Sequence, residues 1–206
     1  MFELLTGTGL AAASGLGAFA PLLALGGLDR FTDLVSLPEG WAWLGSDTAL
    51  VLLGVLTLID IIADKIPAVD SVNDIIQTVI RPASGGIAFG AGSAATTVAV
   101  PTPDHLYSTQ VWLPVILGIV IALASHLTKS STRLASHAVS AGAAGPVLSA
   151  SEDAMSIGLI AAAILAPVAV VLVLPALIYL AITLGRWFAQ RKTRARAQNT
   201  LANASS

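Results

Sequence analysis

Apolar residues run along this chain in long stretches separated by short joints rich in charge, proline or glycine, and most stretches have the length of a membrane crossing. About 20 helical residues at 1.5 Å each traverse a ~30 Å hydrocarbon core. The first stretch covers residues 3–27, with Gly9, Ala13 and Gly17 at the four-residue spacing that lets helix backbones approach closely. Residues 28–45 carry charges, Pro38, Gly40, Trp41 and Trp43, which suit an interfacial connection. A second span is expected from Ser46, an N-cap, to Lys65, because Pro67 disfavours helical geometry at Ile66. Beyond it, Val69, Val72, Ile75, Ile76, Val79 and Ile80 share one helical face and Asp70, Asp74, Gln77 and Arg81 the other. That pattern predicts an amphipathic helix, lying in the interface or packed inside a bundle, which Arg81-Pro82 ends.

A third span, residues 83–100, is rich in Gly and Ala and includes Gly86 and Gly90, so it is expected at the centre of the bundle. "PTPDHLYS" turns into a fourth, apolar over 111–125, whose helical pattern continues through "HLTKSSTRLASHAVSA" to Ala141. "GAAGP" stops it, and Ser149 and Glu152 stand in capping-box spacing at the next start. The remainder, 152–188, would reach about 55 Å as one helix, so Pro167 and Pro175 predict kinks or a break. The expected fold is all-α: a polytopic transmembrane helix bundle of about five or six spans in one domain over residues 1–188, followed by a basic, disordered tail over 189–206.

Composition agrees, since 55% hydrophobic residues, 11% charged residues and a mean hydropathy of +0.84 exceed what a soluble domain buries. Glu3 and the lack of any basic residue in Met1 to Gly7 argue for a retained first span rather than a signal peptide. The absence of cysteine excludes disulfides, thiolate metal sites and thiol catalysis. A formal charge of −2 hides an asymmetry: Arg186, Arg191, Lys192, Arg194 and Arg196 close the chain with no acid among them. Next to a span, such a run marks a cytoplasmic end rather than a nucleic-acid site. Internal similarity adds a possible architecture. "LAAASGL" (10–16) recurs as "IALASHL" (121–127), and "SDTALVLLGVLTLI" (46–59) is echoed by "SEDAMSIGLIAAAI" (151–164), as two inverted repeats of a transporter would require.

The candidate chemistry lies in charges placed among these apolar runs. Asp60 and Asp64 are neighbours on one helix face at a C-terminus, where the helix dipole disfavours anions. Their candidate partners are Lys65, Arg81, the Lys129/Arg133 stripe, or a bound cation or proton. Two carboxylates this close can also share a proton. His126, Lys129, Arg133 and His137, spaced +3, +4, +4, draw one stripe along a helix otherwise made of small residues. Near lipid such a stripe needs a polar cavity or partners. Glu152 and Asp153 fit helix N-terminal acids or pathway residues, and Asp104 and His105 fall in a turn. The structural alternative for all of them is an interface anchor, with the long side chains reaching to the headgroups. No GK[ST] follows the glycines, no third ligand accompanies the histidines, and no Ser/His/Asp set can be isolated, so phosphate-loop, zinc and hydrolase chemistry are not expected.

With "ADKIPAVD", "IRP", "HLTKSSTRL" and "SED" in this order, residues 3 to about 175 resemble an uncharacterised family of bacterial and plastid membrane proteins, domain of unknown function 4126. The resemblance highlights Asp64, Lys65, Pro67, Asp70, Arg81, His126, Lys129, Arg133, Glu152 and Asp153, and Gly17 stands where the family often carries Arg. It implies membrane topology and no activity, cofactor or substrate. The expected function is a small secondary transporter or channel for an ion or small solute. Its pathway would be lined by Asp60, Asp64, Lys65, Asp70, Asp74, Arg81, His126, Lys129, Arg133, Glu152 and Asp153. A scaffold role comes second, and a membrane enzyme acting on an anionic lipid third. Neither a cofactor nor a nucleic-acid partner is expected. The protein is expected in a bacterial plasma membrane with its C-terminus in the cytoplasm. If Asp64 and Lys129 pair across the bundle, removing one charge should hurt more than reversing the pair.

Overall fold

The computed structural model describes residues 1–101, 112–140, 145–172, 174–176 and 179, and the side chains of residues 67, 68, 70, 71, 132, 134–140 and 145–147 lie outside it. Its helices are α1 (Phe2–Leu16), α2 (Ala20–Phe31), α3 (Asp47–Ala63), α4 (Pro67–Ala94), α5 (Trp112–Ser140) and α6 (Gly145–Leu165). A short 3-10 turn, Ala42–Gly45, precedes α3. A further apolar helical segment, Pro167–Ala176, follows α6. Two stretches, Trp112–Ser131 and Leu148–Leu165, are long and apolar enough to cross a membrane by length and composition. Asp104 and His105 of the expected turn, and the basic tail, fall outside the described residues.

Local signals placed α3 well. Ser46 caps it, its Oγ accepting from the Ala49 amide at 3.3 Å, and the helix ends at Ala63 before Pro67 opens α4. Four expectations need correction. The first apolar stretch is two helices, because Gly17 adopts an extended conformation and Pro21 stands in the first turn of α2. The amphipathic segment and the third span are one helix, α4, with Pro82 inside it. A proline removes the hydrogen bond to the carbonyl four residues back, yet α4 packs along its length against α1 and α5, and that packing carries the helix through. The stretch to residue 100 is not all helix: Thr96–Thr97 pairs antiparallel with Val35–Ser36, in register Val35↔Thr97 and Ser36↔Thr96. Ser149 does not cap α6, which begins at Gly145 and buries Ser149 inside it.

The core is built by α1, α4 and α5, which pack on one another, with α6 against α1. Small residues make this possible. A Cβ on Gly85 of α4 would meet Ala122 and the carbonyl of Gly118, and one on Gly118 would meet the carbonyl of Gly85, so the two helices touch backbone to backbone. The α4 helix is amphipathic in the inverse sense to a helix in water. Ile75 and Val79 are 73% and 74% exposed, whereas Gln77 and Arg81 are buried. The joint between α2 and α3 is braced by charge: Arg30 donates to the Gly45 carbonyl at 3.0 Å and pairs with Asp47 at 2.7 Å, while Asp29 accepts from the Leu37 amide. Trp41 is partly buried against Gly90, and Trp43 is half exposed.

Candidate functional site

Asp60 stands in the last turn of α3 and Asp64 follows as its C-cap, and both side chains turn inward, where they are 7% and 5% exposed. Opposite them, α5 presents His126, Lys129 and Arg133, spaced so that one face carries all three into the interior. Lys129 Nζ donates to Asp64 Oδ2 at 2.7 Å and to the Leu16 carbonyl at 3.0 Å, and lies 3.2 Å from Glu152 Oε2. That carbonyl is available because α1 ends there. Arg133 closes the other side. Its Nη2 donates to Glu152 Oε2 at 2.6 Å and to Asp64 Oδ2 at 3.2 Å, and its Nε to Glu152 Oε1 at 3.2 Å. Asp64 is thereby the common acceptor of two cations.

Asp60 is held differently. Its Oδ1 accepts from the neutral amides of Asn73 at 3.1 Å and Gln77 at 2.8 Å, and the nearest guanidinium nitrogen of Arg81 is 3.8 Å away. Asn73 Nδ2 also reaches Asp64 Oδ1 at 3.0 Å, tying the two acids together. Arg81, fully buried on α4, donates through Nη1 to His126 Nδ1 at 3.1 Å, and His126 Nε2 meets Thr78 Oγ1 at 3.1 Å. Asp74, half-buried, accepts from Ser130 at 3.3 Å. Among the described residues, Arg81 Nε and Nη2, Gln77 Oε1 and Asp74 Oδ1 on this side of the site have no hydrogen-bond partner. Unfilled buried polar atoms are rare in native proteins, and each calls for an explanation.

Seven of the expected residues therefore meet directly: Asp60, Asp64, Arg81, His126, Lys129, Arg133 and Glu152, with Asp74 at their edge. Over residues 4–187 the chain matches the family described as Domain of unknown function (DUF4126). The chain belongs to the DUF4126 family. No match was found among curated proteins or solved structures. The "HLTKSSTRL" segment of this DUF4126 chain is the stretch of α5 that carries the cations.

Lys65 does not fold back onto the aspartates. It leaves the interior and pairs with Asp153 at 3.0 Å, a partly exposed bridge between α3 and α6 at the rim. Glu152 and Asp153 are not helix N-terminal acids either, since α6 starts at Gly145 and places them in its third turn, one facing Arg133 and the other Lys65. The side chains of Asp70 and His137 lie outside the described ones. Sequence reasoning missed Asn73, Thr78 and Ser130, and left Gln77 out of the site. A signal existed, because Asn73, Gln77 and Arg81 recur every four residues, which places the two amides on the face of α4 that carries Arg81.

Proposed function

We propose that this protein is a multi-pass membrane protein, a small secondary transporter or channel that moves an ion or small solute through a central charged site. The observation that carries this reading is convergence: α3, α4, α5 and α6 bring Asp60, Asp64, Arg81, His126, Lys129, Arg133 and Glu152 into the interior of a bundle that exposes many Val, Ile and Leu side chains. Burying seven ionisable groups is expensive, and in a membrane such groups mark pathways and relays. The inverse amphipathicity of α4 supports the bilayer as solvent, since its apolar stripe would face lipid and its polar stripe the site.

An inverted repeat fits the packing. Gly15 of the first repeat lies against Ser125 and His126, and His126 is its own counterpart in the second. Two touching copies related by a two-fold axis meet in this way, because equivalent points coincide only on the axis. A scaffold role is the competing reading, favoured by the mutual pairing of Lys129, Asp64, Arg133 and Glu152, which could serve only to lock helices together.

Flux separates the two. Reconstituted in liposomes, the parent protein is expected to pass protons or small ions, and a folded parent with no flux for any of them would leave the scaffold. On the transport reading the C-terminus is cytoplasmic, in a bacterial plasma membrane, because of the basic run after the last span. As the chain has no cysteine, a single Ala197→Cys substitution is expected to resist an impermeant thiol reagent in intact cells and to react after lysis. Labelling in intact cells would reverse the orientation.

A further inference from the structure

Among the described residues, Arg81 is the buried cation with unpartnered nitrogens. It is fully buried, its Nη1 bonds to His126, and its Nε and Nη2 find no partner. Three carboxylate oxygens surround it just beyond hydrogen-bonding reach: Asp64 Oδ2 at 3.7 Å and Asp60 Oδ1 at 3.8 Å from Nη2, and Asp74 Oδ1 at 3.9 Å from Nη1. Of these, Asp74 Oδ1 is itself unpartnered.

A guanidinium can only donate, so the bond from Arg81 requires His126 Nδ1 to be bare. The ring proton then sits on Nε2 and points at Thr78 Oγ1, whose own hydrogen goes to the Asp74 carbonyl at 2.8 Å. Each of these three bonds then has a hydrogen facing an acceptor, and the neutral Nε2–H ring is the form that satisfies them. A second proton at Nδ1 would set donor against donor and cation against cation. The groups facing the ring are Arg81 and Asp74 from α4 and Lys129 and Arg133 from its own helix. Asp60 and Asp64 of α3 stand behind Arg81, and Glu152 of α6 behind Lys129. From α1, Gly15 lies against the backbone of His126 and the Leu16 carbonyl accepts from Lys129. Among the described side chains, the acids Asp60, Asp64, Asp74 and Glu152 outnumber Arg81, Lys129 and Arg133 by one, so one added proton balances the cluster.

We propose that His126 Nδ1 is the proton-binding site of this cluster, that the proton is the ion the site carries or couples to, and that its arrival transfers Arg81 from the imidazole to the carboxylates. One proton from solvent adds to the Nδ1 lone pair, the hydrogen bond from Arg81 Nη1 is lost, and Arg81 keeps all its own protons. A displacement of about 1 Å then brings its nitrogens within the usual ~2.7–3.2 Å of Asp60, Asp64 or Asp74. One helical turn away, the contact between Gly85 and Gly118 gives α4 and α5 a fixed crossing point about which this exchange can act. The ion assignment rests on the transport reading; the proton site does not.

The test uses the full chain in lipid nanodiscs with 15N-labelled histidine and arginine, the His126 signals being identified by their loss in His126→Gln. At neutral pH the expected spectrum has a bare Nδ1 and a protonated Nε2. On acidification Nδ1 gains its proton and the Arg81 Nε–H signal shifts as a new hydrogen bond forms. Arg81→Lys, still a pure donor, is expected to keep the tautomer, whereas Arg81→Gln, which can turn its carbonyl to the ring, is expected to give a mixture. A neutral ring protonated on Nδ1, a ring that takes up no second proton while the protein stays folded in acid, or an unchanged tautomer in Arg81→Gln overturns the proposal. Flux from the parent without titration of His126 sinks the proton assignment and spares the transport reading. Titration without any flux spares the proton site and sinks transport.

Discussion

Asp64→Asn is expected to lower the stability of the protein by about 3–5 kcal/mol, the usual cost of leaving buried charges without their partner. The carboxylate accepts from Lys129 and Arg133 on one oxygen and from Asn73 on the other, and Arg81 stands 3.7 Å away, so its loss removes the one acid that all three cations share. Asp60→Asn should cost only about 1 kcal/mol, because the new amide oxygen can still accept from Asn73 and Gln77. Thermal unfolding and the yield of monodisperse protein in detergent measure both, and equal tolerance of the two changes would return the pair to an interface anchor. The geometry also revises what reversal should do. A lysine at position 64 would meet Arg81 and Arg133, and an aspartate at position 129 would meet Glu152. The double substitution Asp64→Lys with Lys129→Asp is therefore expected to fold no better than either single change. Rescue by the swap would show that the two residues act as an isolated pair.

Gly85→Ala is expected to destabilise by about 1–3 kcal/mol, an overpacking cost, although alanine is the better helix former. The added methyl would press on Ala122 and on the carbonyl of Gly118, which is backbone and cannot rotate away. The control is Gly54→Ala in α3, where nothing stands within 4 Å of the added carbon. There the substitution should be neutral or gain up to about 1 kcal/mol from helix propensity. Melting of the two variants side by side decides the matter, and a Gly85→Ala protein as stable as its parent would mean that α4 and α5 do not touch at that point. Because Arg81 lies one turn from Gly85, the same variant is expected to disturb the Arg81–His126 contact.

Signals that act within one or two turns were legible in the chain. Ser46 and Pro67 bounded α3, the helical pattern expected to run to Ala141 matches the extent of α5 to Ser140, and Pro167 marked the end of α6 just after Leu165. The stripe of His126, Lys129 and Arg133 and the pair of Asp60 and Asp64 followed from helical spacing alone, and the structure brings both into the interior.

The break between α1 and α2 was hidden because Gly17 also satisfied a small-residue packing pattern, and glycine serves a close approach and an extended joint equally well. Pro82 was misleading for the opposite reason: a proline ends a helix unless neighbours on both sides hold it, and those neighbours, α1 and α5, come from distant sequence. The polar stripe of α4 could be drawn from sequence, but its direction could not, since hydrophobic periodicity gives two faces and leaves open which one meets the solvent. Periodicity along the chain thus determined the helices, their polar stripes and the residues able to carry charge chemistry. Tertiary structure alone decided that Asp64 is shared by Lys129 and Arg133, that Asp60 is left to neutral amides, and that Arg81 faces His126, because each contact joins helices whose rotation about their own axes is set only by packing against the others.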